Sequence, residues 1–146
     1  MKKKHLVSIV VVLLLIYFAG QWCWYDLPVK LPLLDEVNES CHVSVLPVYG
    51  DMVRDDQEKI LSGEEILELK EFLEEGTYIR SDEGIYVGEN KYRITITWSD
   101  GKRVQLRTFG ENPSGYDSFV WDNEDLLLVK PKDEDWHKKL DQLLTE

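Results

Sequence analysis

Residues 91–109 read KYRITITWSDGKRVQLRTF, and this stretch decides the fold of the 146-residue chain. Apolar and polar residues alternate before and after Ser99-Asp100-Gly101, which is the period-two pattern of half-buried strands. The three residues between the two runs are of the kind that form turns. The stretch therefore predicts a β-hairpin.

The length of the hairpin loop follows from the residues that each register brings together. A two-residue loop at Asp100-Gly101 pairs Ile96 with Gln105 and sets an apolar residue against a polar one. A three-residue loop pairs Ile96 with Val104 and buries one face of the hairpin coherently, as sheet pairing requires. We therefore predict a three-residue loop, a type I turn in which Gly101 is left-handed and forms a G1 bulge.

The other face of this predicted hairpin is basic. The same register places Arg93 opposite Arg107, and residues 91–109 carry a net charge of +4. Arg103 and Lys91 lie on the same two strands. Because like charges directly opposite each other destabilise a sheet unless an anion lies between them, the functional interpretation is an anion-binding face for a carboxylate, a phosphate-bearing envelope polymer or an acidic partner. The more conservative interpretation, which the sequence favours, is that the arginines cover an open sheet face and pair with neighbouring glutamates.

Few other chemical motifs occur in the sequence. There is no HExxH, CxxC, GxSxG or phosphate-binding glycine loop, and residues 51–56 lack the ligand spacing of a calcium loop. Residues 110–118 read GENPSGYDS, which suits either a contact loop with Tyr116 at its tip or an ordinary strand connection. We predict no catalytic residue, no metal site and no cofactor, and we add Tyr116 to the candidate ligand-binding residues.

The charge of the chain is unevenly divided. Of the 17 basic side chains, three are Lys2, Lys3 and Lys4, which precede an uncharged run over residues 6–25. From Asp26 onward, the chain contains 14 basic and 28 acidic side chains and carries a net charge of −14. Because a surface of that charge repels phosphate groups, we expect no nucleic acid as a partner.

The uncharged run over residues 6–25 predicts a membrane anchor. As a helix it spans roughly 30 Å at about 1.5 Å per residue, which matches the hydrocarbon thickness of a bilayer. The lysines before it favour a cytoplasmic tail over residues 1–5, and Trp22 and Trp24 suit the outer interface. We therefore predict a single-pass protein of the cell membrane whose C-terminal domain is extracellular. The alternative is a cleaved secretory signal that releases a secreted domain.

A linker is predicted between the membrane and the folded domain. Residues 26–40 contain two prolines and several acidic side chains without clear periodicity, which is typical of a semi-extended spacer. The domain then covers residues 41–146. Cys23 and Cys41 flank the linker, and outside the cytoplasm they permit a disulfide bond within one chain or between two copies. The sequence leaves the oligomeric state open.

The clearest helix of the domain is predicted over residues 63–75. Ser62 and Glu65 have the spacing of a capping box, and Gly76 is a natural C-terminal stop. The apolar residues of the helix recur at intervals of three and four and form one stripe. The stripe consists of Ile66, Leu69 and Leu73.

Short apolar runs predict the remaining strands, at residues 43–49, 77–80, 119–121 and 126–129. Pro47 cannot donate a ladder hydrogen bond and pushes the first of these strands toward a sheet edge or an early end. Asp133 caps a last helix, whose apolar stripe consists of Trp136, Leu140, Leu143 and Leu144. These elements predict an α+β fold, in which an N-terminal transmembrane helix precedes a small, mostly antiparallel sheet packed with two amphipathic helices.

Four stretches carry a resemblance to known proteins. They are VSVLPVYG (residues 43–50), SGEEILELKEFLEEG (62–76), the hairpin (91–109) and WHKKLDQLL (136–144). In their order they resemble small extracytoplasmic domains of unknown function in membrane-anchored or secreted proteins of Gram-positive bacteria. The resemblance covers residues 41–144, implies a compact α+β fold and supplies no catalytic residues.

Three functional hypotheses follow from these observations. The first is a non-enzymatic, single-pass envelope protein whose acidic domain binds a protein partner or an anionic ligand outside the membrane. The second is a small envelope hydrolase that uses a pair of carboxylates. The third is an inhibitor or immunity-type protein, for which a net charge of −14 suits a basic target. We predict the first, because the sequence contains no catalytic motif.

Overall fold

The computed structural model of the protein describes residues 2–49, 52–53, 55–81, 90–109 and 118–145. The helices in these ranges are α1 (Lys2–Asp26), α2 (Gly63–Glu75) and α3 (Trp136–Thr145). The strands are β1 (His42–Tyr49), β2 (Met52–Val53), β3 (Lys59–Ile60), β4 (Tyr78–Arg80), β5 (Asn90–Thr97), β6 (Arg103–Phe109), β7 (Phe119–Asp122) and β8 (Leu126–Pro131).

The strands form an antiparallel sheet. Its order is β2-β1-β5-β6-β7-β8-β4, and β3 also pairs with β1. Strands β5 to β8 follow one another across the sheet as a meander, whereas β4 lies at the far edge beside β8. The predicted α+β class with a mostly antiparallel sheet is confirmed.

The hairpin formed by β5 and β6 has the predicted register. Ile96 pairs with Val104, and Arg93 pairs with Arg107. In the loop, Gly101 has a φ of +89°, a left-handed conformation in which any other residue is strained. The burial of one face therefore determines the loop length, as the alternation of residue types predicts.

Strand β1 lies inside the sheet, so the prediction that Pro47 pushes it toward an edge is wrong. One side of β1 pairs with β5 over residues 42–47. The other side pairs with two short strands, β3 and β2, which leave a gap at Leu46 and Pro47 among the described residues. A proline is tolerated at this gap because the missing N–H has no neighbouring ladder to join on that side.

Helix α2 begins with the predicted capping box. The Ser62 side chain accepts a hydrogen bond from the Glu65 N–H at 3.3 Å, and the Glu65 carboxylate accepts one from the Ser62 N–H at 2.8 Å. These two bonds satisfy backbone donors that a helix start otherwise leaves free. The predicted apolar stripe is buried, namely Ile66, Leu69 and Leu73.

The end of α2 is formed differently from the prediction. Gly76 has a φ of −69° and a ψ of 147°, an extended conformation open to any residue, so it is not a left-handed stop. The helix end is capped by a side chain instead, because the Tyr78 hydroxyl donates a hydrogen bond to the Leu73 carbonyl at 2.7 Å. A Cβ at position 76 would overlap the Tyr78 ring, and this close approach is the reason for glycine there.

Helix α3 shares its buried residues with the rest of the core. Trp136 stacks on Phe119 of β7, with ring centroids 4.6 Å apart and an angle of 7° between the planes. The Trp136 ring also lies 5.5 Å from that of Phe72 in α2. Leu140 and Leu144 of α3 are buried in the same hydrophobic cluster.

Residues 27–40 belong to the domain, so the prediction of a linker over residues 26–40 is wrong. Three of their side chains are buried in the core, namely Leu31, Leu34 and Val37. The Val29 N–H donates a hydrogen bond to the Tyr78 carbonyl at 2.8 Å, which extends the sheet beyond β4. These three buried residues recur every three positions. The prolines and acidic residues of the segment make this spacing hard to recognise in the sequence.

Helix α1 is long and apolar enough to cross a membrane, judged by its length and composition, and its membrane-candidate segment is not buried by the rest of the protein. A signal sequence at this position has the same properties. Cys23 near the end of α1 is exposed and Cys41 is buried, and the two thiols are not bonded to each other. Burial of Cys41 leaves Cys23 as the thiol that a second copy of the chain can reach.

Candidate functional site

The candidate site is the face of β5 and β6 that points away from the core. The inward residues of these two strands are buried, namely Ile94, Ile96, Val104 and Leu106. Because side chains alternate along a strand, the residues between them occupy the opposite face. We call this surface the arginine face, and it consists of Arg93, Thr95, Thr97, Arg103, Gln105 and Arg107.

Arg93 and Arg107 are direct cross-strand partners on this face. Directly opposed residues of an antiparallel pair have Cβ atoms about 4.5–5.5 Å apart, so the two positively charged side chains leave the backbone close to each other. Arg107 forms an ion pair with Asp122 of β7, in which Nη2 lies 3.1 Å from Oδ2. One carboxylate therefore neutralises one of the two guanidinium groups.

The two arginines share a second feature, which concerns their Nε atoms. Both Nε atoms are buried and have no hydrogen-bond acceptor within the part of the chain that the structure describes. A guanidinium group has five N–H donors, and a buried donor without an acceptor costs about 1–3 kcal/mol. Arg93 and Arg107 therefore each retain an unsatisfied N–H among the described residues, which an oxyanion can reach only after the side chain rotates outward.

Of the other predicted site residues, Arg103 lies on the arginine face and Lys91 does not. Arg103 pairs with Thr97 beside the hairpin loop and is exposed. Lys91 sits at a register shift in β5 and forms an ion pair with Asp141 of α3, with Nζ 3.3 Å from the carboxylate. A hydrogen bond from the Tyr92 hydroxyl, together with Lys91, lowers the pKa of Asp141. Lys91 is thus engaged with α3.

Tyr116, the remaining predicted residue, lies outside the described residues, as does most of its turn-rich segment over 110–118. The structure adds Asp122, to which no motif in the sequence points. Asp122 pairs with Gln105 across β6 and β7 and reaches Arg107. The alternation of residues along β7 predicts which face of the sheet Asp122 lies on. That Asp122 lies close to Arg107 depends on β7 being the neighbour of β6, which the alternation does not predict.

The conservative interpretation, in which the arginines pair with neighbouring acids, applies to one of the three. Arg107 pairs with Asp122, whereas Arg93 and Arg103 form no ion pair within the described ranges. Lysines elsewhere in those ranges do form such pairs, including Lys59 with Glu65 at 2.8 Å. Within the described part of the chain, Arg93 and Arg103 are therefore without a neutralising carboxylate, although the chain has an excess of acidic residues.

A carboxylate pair, which the hydrolase hypothesis requires, borders one cavity. Glu65 and Glu68 of α2 line a cavity of about 260 Å³. Hydrogen bonds from the Lys59 side chain and then from the Ser62 N–H lower the pKa of Glu65. A catalytic acid needs a raised pKa, so Glu65 suits its role as a helix cap better than proton donation. Among the described residues, no group of three or more His, Cys, Asp or Glu side chains is placed to hold a metal ion.

No family model, no curated protein and no solved structure matches this chain. The resemblance to Gram-positive extracytoplasmic domains stays a prediction, and the interpretation of the site rests on the geometry of the arginine face.

Proposed function

We propose that this protein is a single-pass membrane protein that binds an anionic ligand or an acidic protein partner through the arginine face, and that it is not an enzyme. The observation that carries this proposal is the cross-strand pair of Arg93 and Arg107. Both Nε donors of this pair are buried without an acceptor among the described residues, where Arg107 has an ion pair with Asp122 and Arg93 has none.

An oxyanion between the two guanidinium groups removes two unfavourable features of this pair, namely the repulsion between the charges and the unsatisfied N–H donors. It offsets the repulsion between the opposed charges, and its oxygens accept N–H groups in the paired geometry that a guanidinium favours. The Nε donors of Arg93 and Arg107 join this arrangement when rotation about side-chain torsions turns them outward. The carboxylate of a protein partner and the phosphate of an envelope polymer both have this chemistry.

The arrangement of the helices supports the arginine face as the accessible one. We propose that α2 and α3 lie side by side on the apolar face of the sheet, since Trp136 of α3 contacts both Phe72 of α2 and Phe119 of β7. The arginine face then lies on the side of the sheet away from these two helices.

The proposed topology places residues 1–5 in the cytoplasm, α1 in the membrane and the domain outside the cell. The lysines at the start of α1 and the tryptophans at its end support this orientation. If α1 is a cleaved signal sequence, the domain is secreted with the same arginine face. The N-terminus of the mature protein, read by mass spectrometry, separates these alternatives, because cleavage gives a terminus near Gln21.

Photo-crosslinking in native membranes tests the proposed binding. A photoreactive amino acid at Thr95 captures whatever lies against the arginine face, and mass spectrometry identifies it. We expect the crosslinks to disappear when Arg93→Gln and Arg107→Gln are combined. A control that combines Lys132→Gln and Lys138→Gln removes the same charge at exposed positions and should keep them. Unchanged crosslinks in the arginine variant would exclude this face as the binding site.

A further inference from the structure

A cleft lies where α1 meets the domain, and none of its lining residues belongs to the arginine face. Its volume is about 420 Å³, and it is bounded by the end of α1, the segment that follows, β4 and the turn that joins β7 to β8. The lining includes Trp24, Leu27, Lys30, Arg80, Asp125 and Leu126.

The cleft is fixed directly at the end of α1. The Leu27 N–H donates a hydrogen bond to the Cys23 carbonyl at 3.0 Å and so continues the bonding of the helix. Two residues later, the Val29 N–H donates to the Tyr78 carbonyl at 2.8 Å and joins the sheet edge. Because the chain passes from helix to sheet within these few residues, the cleft keeps its position relative to the helix end.

With α1 as the anchor, the cleft opens at the level of the lipid headgroups. Residues 6–25 span roughly 30 Å of hydrocarbon, and the headgroup region adds about 5–7 Å on each side. Trp22 and Trp24 at this end of α1 are 76% and 54% exposed. Exposed tryptophans at a helix end are typical of the boundary between hydrocarbon and headgroups.

The charged side chains of the cleft suit a phosphate group. The Arg80 guanidinium lies over the Trp24 ring, 4.3 Å from its centroid, and this cation–π contact holds the cation beside the end of α1. Lys30 supplies a second cation. The Asp125 carboxylate offsets one of these two positive charges, so the lining as described carries a net positive charge within an acidic domain.

Apolar side chains accompany these cations in the lining of the cleft. Leu27 and Leu126 are 55% and 60% exposed, although the domain around them is strongly charged. Removing such side chains from water is favourable, and the glycerol and upper acyl region of a lipid provides an apolar surface at this depth. Two cations next to exposed leucines therefore match the anionic headgroup and the apolar acyl region of a phospholipid.

We propose that this cleft binds an anionic phospholipid of the surrounding leaflet. Arg80 and Lys30 hold its headgroup phosphate, and Leu27 and Leu126 lie against its glycerol and upper acyl region. The bound lipid fastens the domain to the membrane surface beside α1. This inference rests on the anchor in the proposed function and is independent of the arginine face.

Native mass spectrometry of the full chain in detergent tests this proposal, with palmitoyl-oleoyl phosphatidylglycerol as the probe and the matching phosphatidylcholine as the neutral comparison. We expect the wild-type chain to retain phosphatidylglycerol preferentially. Combining Arg80→Gln with Lys30→Gln should lower the retained fraction about fivefold, which corresponds to about 1 kcal/mol. Lys30 is exposed, so Lys30→Glu alone should keep the fold intact, and it should lower retention as well.

The control combines Lys132→Gln with Lys138→Gln, which removes the same charge elsewhere and should retain the lipid. Unchanged retention in the Arg80→Gln, Lys30→Gln and Lys30→Glu variants, or equal retention of the two lipids by the wild type, would overturn the proposal.

A variant of the arginine face separates this proposal from the proposed function. Combining Arg93→Gln with Arg107→Gln should abolish the crosslinks described above and leave lipid retention unchanged. Loss of lipid in this variant, with normal retention in the cleft variants, would assign the lipid to the arginine face and overturn the cleft proposal.

Discussion

The Tyr78 hydroxyl donates a hydrogen bond to the Leu73 carbonyl at 2.7 Å and closes the C-terminal end of α2. Tyr78 belongs to β4, so this bond joins the end of a helix to the strand that follows it. The Tyr78 ring is buried and makes edge contacts with Phe119 at 5.5 Å and with Trp136 at 6.3 Å between centroids. One side chain therefore caps a helix and packs against the centre of the core.

Removing this hydroxyl is expected to destabilise the protein. Tyr78→Phe keeps the ring but leaves the Leu73 carbonyl without its donor, which should cost about 1–3 kcal/mol in the free energy of unfolding. Thr145→Val is the matched control, because its hydroxyl donates to the Asp141 carbonyl at an exposed site. The control should change stability by less than about 0.5 kcal/mol. Urea unfolding measures both, and equal stability of Tyr78→Phe and wild type would contradict the capping role.

The buried hydroxyl also makes stability depend on alkaline pH. Burial raises the pKa of Tyr78 to about 12 from its ordinary value of 10.0. Because the folded state holds the proton more tightly than the unfolded state, the stabilisation is fully present below about pH 10 and is lost as the pH rises through about 12. We expect this group to contribute a loss of about 2–3 kcal/mol over that window, which Tyr78→Phe should lack. Unfolding midpoints that fall equally with pH in both proteins would refute this assignment.

Adding a single methyl group at position 76 is expected to destabilise the protein. At the observed φ of −69°, replacing glycine by alanine ordinarily stabilises a protein by about 0.4–1 kcal/mol. Here the added Cβ overlaps the Tyr78 ring, so Gly76→Ala should instead destabilise by about 1–3 kcal/mol. In a Tyr78→Leu background the substitution should cost much less. A double-mutant cycle by urea unfolding measures this coupling, and purely additive effects would rule out the overlap.

Leu34 tests whether residues 27–40 belong to the core. Leu34→Ala removes a buried side chain and should destabilise the protein by about 2–5 kcal/mol. Leu27→Ala is the control, since Leu27 is 55% exposed and its truncation should change stability by less than about 0.5 kcal/mol. Thermal unfolding compares the two. Small and equal effects would mean that the segment is a loose spacer after all.

The parts of the fold that depend on neighbouring residues were predictable from the sequence. The hairpin register follows from the alternation of Ile94 and Ile96 with polar residues, because only one loop length buries both strands on the same side. The start of α2 follows from Ser62 and Glu65, whose spacing alone defines a capping box. Each of these predictions uses contacts between residues close in the chain.

The parts that depend on distant residues were not predictable. Pro47 lies inside the sheet because two short strands leave a gap beside it, and neither strand is visible from the proline itself. Gly76 is required by the ring of Tyr78, not by its own backbone angles. Residues 27–40 are ordered by a core that their own sequence does not reveal.

The candidate site divides in the same way. The opposition of Arg93 and Arg107 follows from the hairpin register, and the structure confirms it. The ion pair with Asp122 depends on which strand lies beside β6, and the loss of Lys91 from the face depends on a register shift and on α3. These are long-range features that no local pattern encodes.

Oxyanion binding by the arginine face is tested most directly by NMR of the arginine Nε–H groups in the full chain in detergent micelles, with Arg→Lys variants for assignment. Pyrophosphate serves as the probe at low ionic strength, because salt screens interactions between charges. We expect the Nε–H signals of Arg93 and Arg107 to shift together and to saturate, since both buried donors gain an acceptor. Signals that stay in place, or that drift without saturation along with every other arginine, would contradict the proposed function.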